Sequence, residues 1–152
     1  MSSRTRKDRL SLRDVANLVA AHPNTIKKLQ DVKLLPSVMC GPELVTARVL
    51  IELSTTQFPA NRARDKSAAS TVLDLIHRGR ITPRTRLVVS ETTVVAIEED
   101  YALLKALDDS RGARSQVLPV GQWERDYRRD RPDLFADDLG LGFRERKEVV
   151  AA

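Results

Sequence analysis

The chain has 152 residues, 41% of them hydrophobic but only 4% aromatic, so its core must be assembled mainly from Leu, Val, Ile and Ala. Charged residues make up 31% and the formal net charge is +5, unevenly placed: residues 1–33 carry eight Lys or Arg against three Asp, whereas residues 92–152 carry ten against thirteen acids. One cysteine, Cys40, and two histidines, His22 and His77, argue against a disulfide framework and a zinc site, and no apolar run approaches the ~20 residues of a membrane span.

Residues 1–10 read as a flexible basic arm; the start MSSRTRKDR has positive charge but no apolar stretch after it, so it is not a signal peptide. Ser11 is placed as a helix N-cap with Asp14 three residues later, close to a capping box. Leu12, Val15, Ala16, Leu18 and Val19 recur at helical spacing, and this helix ends near Ala20 or Ala21. In the stretch HPNTIKKLQ, Pro23 suits the first turn of a second helix and puts His22 at the N-cap. Ile26 and Leu29 turn inward, which leaves Asn24, Thr25, Lys27, Lys28 and Gln30 outward. Two helices joined by a very short break, the second polar and basic, form the helix-turn-helix arrangement: donors for base edges and cations for phosphates on one short rod.

The sequence SLRDVANLVAAHPNTIKKLQDVKLLPS resembles the helix-turn-helix of the MerR superfamily and of excisionase-type DNA-binding domains, through Val15, Ala16, Leu18, Pro23, Thr25, Ile26, Lys27, Lys28, Leu35 and Pro36. The resemblance covers about a third of the chain when the following helix, GPELVTARVLIELS, is included. It implies that Leu44, Ala47, Val49, Leu50, Ile51 and Leu53 pack a third helix on the first two after a wing. It also implies double-stranded DNA as the partner, met by His22, Asn24, Thr25, Lys27, Lys28 and Lys33, with Arg13 and the arm residues Arg4, Arg6 and Lys7 on phosphates. Lys33 stands where the family usually has a glycine in the left-handed conformation, and SVMCGPE lacks the Arg and aromatics of a MerR-type wing.

The polar, basic stretch FPANRARDKS reads as a linker, and its Arg62, Arg64 and Lys66 can grip phosphates beside the reading unit. Residues 67–78 follow as a helix, with Ala68, Val72, Leu75 and Ile76 on one side and Gly79 ending it. Residues 87–89 and 94–97 are β-branched runs separated by a short polar turn, a hairpin signal. Residues 99–109 show helical spacing in Tyr101, Leu103, Leu104 and Leu107. SQVLPV reads as a third strand that Pro119 confines to a sheet edge, and Trp123 and Tyr127 are expected to pack a last helix on the sheet. The acids Glu98, Glu99 and Asp100 suit a helix start better than a catalytic pair.

The expected fold is therefore α+β: a basic arm (1–10), a winged helix-turn-helix-like helical domain (11–58), a linker (59–66), a small α+β domain with a two- or three-stranded sheet (67–135) and a tail (136–152). The expected function is a sequence-specific DNA-binding regulator of repressor type, of the size that suits a phage or mobile element, acting in the cytoplasm without a cofactor and able to form a homodimer through its C-terminal domain. An excisionase-like architectural factor and a protein–protein adaptor are the alternatives. An enzyme is disfavoured, because no nucleophile–base pair, glycine-rich phosphate loop or metal cluster is present.

Overall fold

Ser11 opens the first helix of the computed structural model, α1 (Leu12–Leu18), by accepting the Asp14 N–H on its hydroxyl at 3.1 Å. The structure describes residues 10–55, 59, 61–109 and 115–135. The chain leaves α1 through Ala20 at φ 56°, and the Ala21 N–H returns to the Ala16 carbonyl at 2.8 Å, a Schellman closure without glycine. It enters the second helix, α2 (Pro23–Asp31), at once: His22 caps the helix by accepting the Asn24 N–H on Nδ1 at 3.1 Å. α2 closes in the same way. Lys33 sits at φ 66° and the Leu34 N–H reaches the Leu29 carbonyl at 2.9 Å. Gln30 then ties the exit strap back by donating to the Pro36 carbonyl at 2.9 Å. Where a wing was expected, the described residues show one antiparallel bridge, Leu10 with Met39.

The third helix, α3 (Gly41–Ser54), is apolar nearly all round, and such a helix has to be central. Leu44, Val45, Ala47, Val49, Leu50 and Leu53 are all buried, while Ile51 is only partly so. α3 lies against α4 (Arg62–His77), which Asn61 caps by accepting the Arg64 N–H at 3.0 Å and Gly79 closes at φ 65°. The expected linker is thus largely helix, because Asn61 can cap and the residues after it continue at helical spacing.

A three-stranded antiparallel sheet follows, in the order β2-β1-β3, from β1 (Arg86–Ser90), β2 (Val94–Ile97) and β3 (Ser115–Leu118). Val88 stands opposite Val95 on one side and Val117 on the other. Helix α5 (Asp100–Asp109) connects β2 towards β3, and α6 (Val120–Asp130) with a 3-10 turn (Pro132–Phe135) ends the described chain. The fold is α+β with an N-terminal helical region, and no described helix is long and apolar enough to cross a membrane.

All the buried apolar residues except Val88 and Ile97, which line the α5 side of the sheet, form one cluster from Leu10 through α3 to Phe135, so the two halves share a core. Trp123 and Tyr127 show why. They were expected on the sheet; α6 does touch β1, but it also reaches α3, where the Arg48 guanidinium lies 4.3 Å from the Trp123 ring centre and donates to the Tyr127 hydroxyl at 3.2 Å. The helical spacing expected over 99–109 is present in α5, whose Tyr101, Leu104 and Leu107 face solvent, while Ala102 and Ala106 line a groove towards the sheet.

Candidate nucleic-acid interface

The α1–α2 unit is held from inside by apolar contacts. Val15, Ala16 and Ile26 are buried, Ile26 completely, and Leu12, Leu18 and Leu29 pack against the same core. That fixes which side of α2 faces out. Asn24, Lys27 and Lys28 are exposed and Thr25 is half-buried, as are Gln30 and Leu29 beside them. Among the described residues no carboxylate lies within ion-pair distance of Arg13, Lys27, Lys28 or Lys33, all of which are exposed.

The second half treats its cations differently. Arg78 pairs with Asp74 at 2.8 Å, Arg84 with Glu99 at 3.7 Å and Arg86 with Asp100 at 3.0 Å. Arg128 pairs with Glu124, Arg129 with Asp130 and Arg131 with Asp133. The Arg131 guanidinium holds the Asp133 carboxyl below the usual carboxylate range. Arg80, Lys105 and Arg125 are the exposed exceptions. Among the described residues, most cations left without a neutralising neighbour therefore lie on α1, α2 and the start of α4, where they project positive potential.

His22, Asn24, Thr25, Lys27 and Lys28 come together on the first two turns of α2. Lys33 extends them past the helix end. Its left-handed backbone keeps a long cation where a glycine would leave none. Arg62 is exposed in the first turn of α4, and Lys66, one turn on, shares a shallow groove with Lys33, Gln30 and Pro36. The sequence offers no signal for that juxtaposition, since 33 residues separate the two lysines. The arm residues Arg4, Arg6 and Lys7 lie outside the described residues.

Arg64 belongs elsewhere. It is 4% exposed, pairs with Asp65 at 2.8 Å, and donates to the Ser90 and Glu91 carbonyls at 3.4 and 3.3 Å. Its guanidinium closes the β1–β2 turn from within, and no surface is left for a phosphate.

The unit is also braced from the C-terminal half. The Tyr127 hydroxyl donates to the Leu18 carbonyl, the last of α1, at 3.3 Å, while accepting from Arg48. Burial raises the pKa of this phenol, against the lowering effect of the Arg48 hydrogen bond. No family model, no characterised protein and no solved structure compared with the chain matches it.

Proposed function

We propose that the chain is a sequence-specific DNA-binding transcriptional repressor whose α2 enters the major groove. One observation carries the reading: α2 turns Ile26 fully inward while Asn24, Lys27 and Lys28 face outward with no competing carboxylate among the described residues. An asparagine amide offers the donor and acceptor that an adenine edge requires, and lysines serve guanine acceptors or phosphates. Arg13, Lys33, Arg62 and Lys66 flank this helix as phosphate contacts. The likeness of residues 11–37 to MerR-type and excisionase-type units supports the same assignment. Affinity then arises mainly from counterion release, and each phosphate contact contributes about 0.9 to the slope of log K against log salt.

The double substitution Lys27→Ala, Lys28→Ala tests the reading. The helices should persist by circular dichroism, because both side chains are exposed. Affinity for a site selected from a random DNA pool should fall by about tenfold or more, on the order of 1–3 kcal/mol, with a shallower salt slope. A folded double mutant that binds as tightly as the parent would remove α2 as the reading helix. A parent chain that retains no DNA even at low salt would favour the adaptor reading instead.

A further inference from the structure

The apolar surface on α5 and β2 contains none of the residues assigned to DNA, and it holds four of the six large apolar side chains exposed among the described residues. Tyr101 is 73% exposed, Leu104 68%, Val95 45% and Leu107 39%. Tyr101 and Leu104 are knobs. Beside them, between α5 and the outer face of the sheet, runs a groove of ≈ 660 Å³ with Val88, Val95 and Ile97 as its floor and the small residues Ala102 and Ala106 on its wall. β2 is an edge strand, and among the described residues no hydrogen bond reaches the backbone on its outer side. Its sequence, VVAI, contains none of the devices that blunt edges: no proline, no lysine, no charge. The opposite edge, β3, runs straight into Pro119.

We infer that this face is a homodimer interface, in which two copies meet across a two-fold axis with their β2 edges antiparallel and their α5 helices side by side. Three features select a second copy as the occupant. An isologous contact needs knob and groove on the same patch, and α5 with the sheet supplies both. Antiparallel pairing of β2 with itself satisfies the open backbone groups of both copies at once, which a contact through side chains alone does not. Two copies that each bury these four exposed side chains and the strand edge make a contact on the order of the 1,000 Å² expected of a genuine interface. Charge points the same way. Lys105 and Asp108 lie three residues apart on α5, so a two-fold can bring each near the other's counterpart.

Sedimentation equilibrium of the full chain over a wide concentration range tests the inference without reference to DNA. The parent should be dimeric at micromolar concentration. Leu104→Glu and Val95→Lys, at positions that the protomer leaves exposed, should preserve its helicity and melting behaviour at high dilution yet weaken dimerisation by about tenfold or more. A parent that stays monomeric, whether the patch faces solvent or is covered by the chain's own residues 136–152, overturns the inference. So does a dimer that both substitutions leave intact.

Discussion

Lys33 combines a backbone cost with a candidate contact, and the two can be separated by substitution. A side chain at φ 66° is disfavoured by about 1–2 kcal/mol, which glycine avoids while making the unfolded chain looser by about half as much. Lys33→Gly should therefore raise unfolding free energy by about 0.5–1 kcal/mol in chemical denaturation while lowering DNA affinity. Ala20→Gly, at φ 56° in the same kind of closure, should raise stability and leave affinity unchanged. Stability and binding moving together in both variants would argue against Lys33 as a contact. Gly121 presents the opposite case. A Cβ there would stand 1.8 Å from the Thr82 carbonyl oxygen, a backbone atom that cannot swing away. Gly121→Ala should cost about 3 kcal/mol or more, read from the denaturation midpoint. A left-handed closure at Lys33 was one of the outcomes that the resemblance raised, through the glycine usual at that place. The clash at Gly121 was not foreseeable, because Thr82 comes from a turn 39 positions earlier.

At the scale of elements, the first turn of α4 separates two arginines that the sequence treats alike. Two residues along a helix are about 200° apart, so Arg62 faces solvent and Arg64 faces the β1–β2 turn. Arg64→Ala removes the donors to two carbonyls and leaves Asp65 without its partner, and should destabilise the fold by about 2–4 kcal/mol. Arg62→Ala should change stability by no more than about 0.5 kcal/mol and instead weaken DNA binding. Thermal melts and gel shifts of the two variants check both halves of this expectation. The helix starts at Ser11, His22 and Asn61 rest on capping contacts of two or three residues, and the first two are legible in the chain as written. The fate of the α5 leucines was not legible. Periodicity tells that Tyr101, Leu103, Leu104 and Leu107 share a helix, but Tyr101, Leu104 and Leu107 end outside, while the small Ala102 and Ala106 line the groove that faces the sheet.

For the molecule as a whole, one shared core predicts one cooperative unit. The buried residues of α3 belong to the same cluster as those of α1 and α2, and α3 lies against α4 and α6, so neither half can open without disturbing that core. Denaturation followed by the fluorescence of Trp123, the single tryptophan, should coincide with that followed by far-UV circular dichroism. Separate midpoints would restore the picture of two domains joined at 59–66. The sequence by itself determined the helix and strand periods, the caps at Ser11 and His22, the basic front and the inward Ile26, because each is set by neighbours within a few residues. Only the tertiary structure decided that both halves share a core, that Arg64 is internal, that Lys66 stands by Lys33 and that α5 and β2 leave an apolar face open. Those outcomes depend on contacts between residues tens of positions apart, whose pairing no local pattern encodes.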